Sequence, residues 1–240
     1  MKMKKRILVA AMTMVLTLSS AVGVMAAGSR SKDVVPAGDS VEKYVVTQNI
    51  QETEAYKTLK TEEPETATLI DEVNAGTKSM ASFTETLSAL AEEMTDETAK
   101  AALKEVVKAL ESKDFVTGFI DLIAKEGAEK NAEGKYEVTL SVPALTEKTT
   151  EVEVLHYSTV RKVWEVIQPS NVDTEKKTIT AEFEDLSPVA VIAKEGTFTS
   201  NVQGTSPKTE GVSTWMMWAA AAVVLLGTGT VVITRKRNCR

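Results

Sequence analysis

One uncharged run, Trp215 to Thr234, separates the end of this chain from everything before it. At about 1.5 Å of rise per residue, some 20 helical residues cross the roughly 30 Å of hydrocarbon in a bilayer. Trp215 and Trp218 stand at its leading edge, where amphipathic rings favour the headgroup layer. Arg235, Lys236, Arg237 and Arg240 come after it, and Lys and Arg are retained on the cytoplasmic side. The run therefore predicts a transmembrane helix over 215–234 and a basic cytoplasmic tail over 235–240, with the bulk of the chain facing outward. A second apolar run, Ile7 to Leu18, comes after Lys2, Lys4, Lys5 and Arg6 and is too short to span. Small residues fill Ser19 to Ala27, with cleavage positions at Ala26 and Ala27, so 1–27 reads as a secretory signal peptide. A fold has to be built from the residues between these two runs.

That middle region has no covalent staple. The lone cysteine is Cys239, in the basic tail, and none comes after the signal peptide to carry a lipid. The region must stand on its apolar core. Residues 28–209 carry 20 Lys and Arg against 33 Asp and Glu, a balance of −13. Such a surface lacks the basic face that nucleic acid or anionic lipid requires.

Residues 28–46 are polar and predict a flexible exit segment with room for one short strand near Val41 to Val46. The helical region is expected over 47–112. Pro64 suits a first helical turn. Met80, Phe83, Leu87, Leu90 and Met94 recur at helical spacing, as do Ala99, Leu103, Val106, Val107 and Leu110. Ser82 with Glu85 offers a capping box for the first of these, and Asp96 with Glu97 suits the start of the second. The short linker between them folds the pair back as a hairpin. From 113 to 195 the period changes. Tyr136, Val138, Leu140 and Val142 alternate with polar residues, as do Val152 and Val154, and Ile179, Ala181 and Phe183. Phe115 to Ile123 fits a strand or a helix. Residues 196–214 are rich in Thr, Ser, Gly and Asn and form a linker. The fold class expected is α+β: a helical hairpin region, then an antiparallel β-sandwich-like domain, then the transmembrane helix.

The linker contains Ser206-Pro207-Lys208-Thr209, just ahead of the apolar run and the basic cluster. This order resembles the C-terminal signal of sortase substrates of Gram-positive bacteria, whose pattern is Leu-Pro-x-Thr-Gly, and it is similar to variants on surface proteins of gut clostridia. The resemblance implies that a sortase thiolate attacks the Thr209 carbonyl and that a cell-wall amine then takes over the acyl group. Sortase and peptidoglycan are the partners it implies, with the membrane as the interim anchor. Glu210 stands where the family has Gly, which comes only at Gly211. The stretches 134–143, 154–159, 163–167 and 183–191 resemble a β-rich module that precedes the wall anchor in clostridial surface proteins of unassigned activity. That resemblance implies location and architecture and no reaction.

Catalytic and ligand signatures are sparse in the same residues. His156 is the only histidine. Ser158 and Ser187 make a Ser-His-acid arrangement conceivable, but a strand residue on or near the sheet surface is the plainer reading. One His and no exported Cys argue against a metal site of that type. Gly127 to Gly134-Lys135 has the wrong spacing for a phosphate loop, and no cofactor motif is present. Asp185-Leu186-Ser187 differs from self-cleaving turns in having Asp in place of a basic residue. The function expected is a non-enzymatic, surface-anchored spacer, scaffold or adhesin module, with its ligand open. The alternative is a surface carbohydrate-binding or hydrolytic protein, with Tyr157 and Trp164 as a sugar platform. A membrane sensor is a third reading, which the six-residue tail disfavours.

Overall fold

Among the described residues, ten short strands and five α-helices build two antiparallel sheets and a helical layer, an α+β arrangement. The computed structural model describes Arg30 and residues 33–198. The expected signal peptide, sorting motif, apolar run and basic tail lie outside the described residues. Among the described residues no helix is long and apolar enough to cross a membrane.

The smaller sheet runs β1 (Val35–Pro36), β5 (Tyr136–Ser141), β9 (Thr178–Phe183), β8 (Asn171–Asp173). The larger runs β2 (Tyr44–Thr47), β4 (Ile120–Ala124), β10 (Pro188–Lys194), β6 (Glu153–Ser158), β7 (Val163–Ile167), with β3 (Lys113–Phe115) also on β10. Alternation is legible in β5 and β9 because one face of each is wet. Val138, Leu140, Ile179, Ala181 and Phe183 join Val154, Val189 and Val191 of the larger sheet in one core cluster. The opposite face of the larger sheet carries Phe115, Phe119, Leu155, Tyr157, Trp164, Ala190 and Ile192, which pack on the helices. β6 is buried along its whole length and β10 along all but its last residue, because the larger sheet is covered on both faces.

The helices are α1 (Ser40–Lys43), α2 (Glu54–Glu62), α3 (Pro64–Asn74), α4 (Met80–Glu93) and α5 (Glu97–Ala109). Pro64 occupies the first position of α3, where its missing N–H costs nothing. Asp96 caps α5 by accepting from Thr98 N at 2.9 Å and Ala99 N at 3.2 Å. The α4–α5 hairpin is clasped by Glu92, which meets Lys100 at 3.1 Å and Lys104 at 2.7 Å. The capping box expected at Ser82 and Glu85 is not formed. Ser79 is the cap, accepting from Ser82 N at 3.2 Å, because the helix starts at Met80, before the first full turn of the apolar stripe.

Two further differences bear on organisation. The segment 28–46, expected as a flexible exit with one short strand near Val41 to Val46, supplies an edge strand to each sheet: Tyr44 pairs with Ala124 within the expected strand region, and Val35 pairs with Ser141 outside it. The helical and β regions are not separate bodies either, since the helices bury their apolar stripes on the larger sheet and all described residues fall within one compact unit. Within Phe115 to Ile123 both ends are strand. Phe115 pairs with Ile192 and Ile120 with Val189, so four residues, 116–119, oppose two. The excess forms a bulge in which Val116 N and Thr117 N both donate to Val191 O, while Val191 N donates to Thr117 Oγ1. Past β10, Thr197 O accepts from the hydroxyls of Thr146 and Thr149, each at 3.1 Å, so the start of the expected linker stays fastened to the body.

Candidate functional site

The most densely bonded group of chemically able side chains lies between the sheets, where the β6–β7 hairpin meets the turn from β9 to β10. His156 on β6 and Ser187 just ahead of β10 are both fully buried. His156 Nδ1 is 2.7 Å from Glu165 Oε1, and Nε2 is 2.6 Å from Ser187 Oγ. The register explains the first contact, since Glu165 lies directly opposite His156 across the hairpin. Chain reversal at the end of β9 delivers the second.

Arg161, in the hairpin turn, closes the cluster. Its Nη1 and Nη2 donate to Glu165 at 2.9 and 2.7 Å, and its Nε donates to Asp185 Oδ2 at 3.1 Å. Ser158 Oγ donates to the same Asp185 oxygen at 2.9 Å and accepts from Arg161 N at 3.0 Å. Burial by itself would raise the Glu165 carboxyl. The hydrogen bonds and positive charges of His156 and Arg161 outweigh it and hold the group at about 2. Glu165 in turn keeps the Arg161 guanidinium protonated more firmly than usual; burial opposes this and Asp185 adds to it.

The distances from Ser187 to His156 to Glu165 are those of a nucleophile, base and orienting acid. The surroundings are not. Ser187 Oγ is closed off from solvent and donates its proton to Tyr157 O at 2.7 Å. Two shallow pockets of about 180 Å³ each, one beside Lys162 and one beside Asn49, are lined by neither His156 nor Ser187. A site that binds a small molecule ordinarily offers about 300 Å³ or more. Among the described residues, neither pocket opens onto the hydroxyl, and its proton is committed to Tyr157 O rather than to His156.

The sequence reading sets His156 on or near the sheet surface. The structure sets it in the interior, because Glu165, Ser187 and Asp185 supply polar partners from elements remote in sequence. Ser187 is its hydroxyl partner, while Ser158 bonds to Asp185. The sequence signal for this is indirect: a proline directly after a serine at a strand start, and a carboxylate one hairpin register from the only histidine. Tyr157 and Trp164, the candidate sugar platform, are 3% and 8% exposed. Their rings meet at 4.9 Å, and Trp164 meets Phe83 at 5.3 Å and Phe119 at 5.7 Å. They are core residues facing the helices. Ser206, Pro207, Lys208 and Thr209, with Ala26 and Ala27, lie outside the described residues.

A second polar cluster sits under the helical side of the larger sheet. Lys113 Nζ is 2.9 Å from Glu153 Oε2 and donates to Glu151 O at 3.2 Å, and Gln168 donates to the other Glu153 oxygen. Among the described residues no group of three or more His, Cys, Asp or Glu side chains is placed to hold a metal ion. Comparison with protein families, with curated proteins and with solved structures finds no match.

Proposed function

We propose that this chain is a non-enzymatic surface module, a spacer, scaffold or adhesin unit, exported by its leader and held outward through a sortase-type C-terminal signal. The observation that carries the reading is the order Ser206-Pro207-Lys208-Thr209, uncharged run, basic cluster, placed after a polar linker. The body ahead of that linker suits display. Its two sheets enclose one core in sandwich-like fashion and the helices enclose another, so the fold needs no disulfide. Its surface is acidic, and its one His–Ser pair is sealed from solvent. Aromatic residues that could have formed a carbohydrate platform are committed to the core, which favours this reading over a sugar-binding or hydrolytic one.

Cell fractionation of the producing organism, with and without its sortase, tests the proposal. Wall-linked protein that disappears without the enzyme, and in a Thr209→Ala variant, is the expected result. Protein confined to the membrane fraction in both strains removes the wall-anchoring step. Recovery from the cytosol with the leader uncut removes the whole reading.

A further inference from the structure

We infer that His156 is a protonation latch: a buried imidazolium, both of whose N–H groups are committed, which couples closure of the two turns around it to pH. Pro188 sets the hydrogen-bond pattern around the imidazole. Val191 directs both of its backbone groups toward the β3–β4 side. Backbone groups alternate sides along a strand, so Pro188, Ala190 and Ile192 direct theirs toward β6. One step beyond the pair Val189 and His156, the register sets Pro188 opposite Tyr157. A ladder donor belongs there, and proline has none. Ser187 Oγ takes its place, donating to Tyr157 O at 2.7 Å.

A hydroxyl has one proton, and Tyr157 O at 2.7 Å is a nearer acceptor for it than Asp185 Oδ1 at 3.4 Å. With that proton on Tyr157 O, the Ser187 oxygen can only accept from His156 Nε2 at 2.6 Å. At the other ring nitrogen the Glu165 carboxylate is also an acceptor, at 2.7 Å. Both nitrogens therefore donate, and only the charged imidazolium has two N–H groups. The charge is balanced from every side. Glu165 faces it from β7, and Asp185 lies 3.8 Å away in the turn after β9. Arg161, also cationic, is drawn off by Glu165, Asp185 and Glu184. Ser158 is bonded to Asp185, and from the smaller sheet the Phe183 ring lies 5.7 Å from the imidazole.

Loss of one proton leaves no good arrangement. If Nδ1 keeps its hydrogen, the Nε2 lone pair faces the Ser187 lone pairs, or Ser187 turns and strands Tyr157 O. If Nε2 keeps it, the Nδ1 lone pair faces the Glu165 carboxylate. Either way a buried hydrogen bond fails, and the 159–162 and 184–187 turns are left tied through Arg161 and Ser158, by way of Asp185 and Glu184. The latch is closed above about pH 2, where Glu165 is a carboxylate, and loosens once rising pH takes the second proton from His156.

The full-length chain in detergent has a single imidazole, so its ring resonances need no assignment. Nitrogen-15 NMR at pH 7 is expected to show both ring nitrogens protonated, and a neutral ring at that pH would overturn the latch. Pro188→Ala supplies the missing ladder N–H, frees the Ser187 proton and lets a neutral imidazole accept from it. Its His156 proton affinity is expected to fall about tenfold, one hydrogen bond's worth. An unchanged titration in a folded Pro188→Ala protein would show that the pinned hydroxyl does not set the charge.

Discussion

Asn74 treats the backbone of Phe119 as a neighbouring strand would: its Oδ1 accepts from Phe119 N at 2.6 Å and its Nδ2 donates to Phe119 O at 3.1 Å. The carboxamide at the end of α3 thus satisfies both main-chain groups of a bulge residue that β10 cannot reach. It also fixes the helical layer to the larger sheet beside the Phe83, Phe115, Phe119 and Trp164 rings.

Asn74→Ala leaves a buried N–H and a buried C=O without partners. Each orphan costs about 1–3 kcal/mol, so a loss of about 3 kcal/mol is expected from urea unfolding. Asn74→Asp restores the acceptor alone and should recover less than half of that. A loss under about 0.5 kcal/mol for the alanine variant would mean that water replaces the carboxamide.

Glu165 gives the fold its sensitivity to acid. Its folded value of about 2 lies below the roughly 4.3 of a free glutamate, so its contribution is present above the unfolded value and is lost as pH falls through the folded one. Glu165→Gln is expected to cost about 2 kcal/mol at pH 7, after allowance for partial exposure. The gap to the native protein should close between about pH 5 and pH 2. A gap of the same size at pH 2.5 would assign the effect to packing rather than charge.

Asp121 works in the opposite direction. It is 1% exposed, and among the described residues its Oδ2 has no hydrogen-bond partner. Burial raises its pKa, and bonds to Thr53 and the Leu122 amide offset this only in part. A raised carboxyl adds stability below its unfolded value, and that stability is lost as pH rises through the folded value. Asp121→Asn removes the charge that must otherwise be buried and should raise stability at pH 7 by about 1 kcal/mol. The gain should vanish below about pH 4, where the native side chain is already neutral. Lower stability of the variant at pH 7 would show that the ionised form is held by contacts stronger than those around it here.

The parts of this fold that are legible in the sequence are those with one wet face. β5 and β9 alternate cleanly, and the stripes of α4 and α5 keep to the helical repeat, because burial on one side imposes a period. Covered elements lose it. β6 reads Glu-Val-Leu-His-Tyr-Ser and is buried throughout, so its polar residues look like surface positions until Lys113, Glu165 and Ser187 arrive from elsewhere. β1 and β2 are too short to show a period and exist through pairing with β5 and β4. The cluster around His156 is hidden for the same reason. Its order depends on a register and on a proline's missing hydrogen, and both are properties of the assembled sheet.

Glu210 is the position at which the anchoring proposal meets its own chemistry. In the proposed sortase transfer, the acyl step would break the bond between Thr209 and Glu210, so residue 210 would carry the leaving amine. Glycine brings no side chain to that bond, whereas glutamate brings bulk and a negative charge that a groove shaped for glycine must accommodate. A penalty of about 1.4 kcal/mol in that transition state slows transfer tenfold. Glu210→Gly is therefore expected to move protein from the membrane fraction to the wall-linked fraction, about tenfold faster in pulse-chase labelling, while Thr209→Ala abolishes wall linkage in either background. Equal rates for Glu210→Gly and the native chain would mean that the enzyme acting on this signal reads Ser206 to Thr209 and is indifferent to the side chain at position 210.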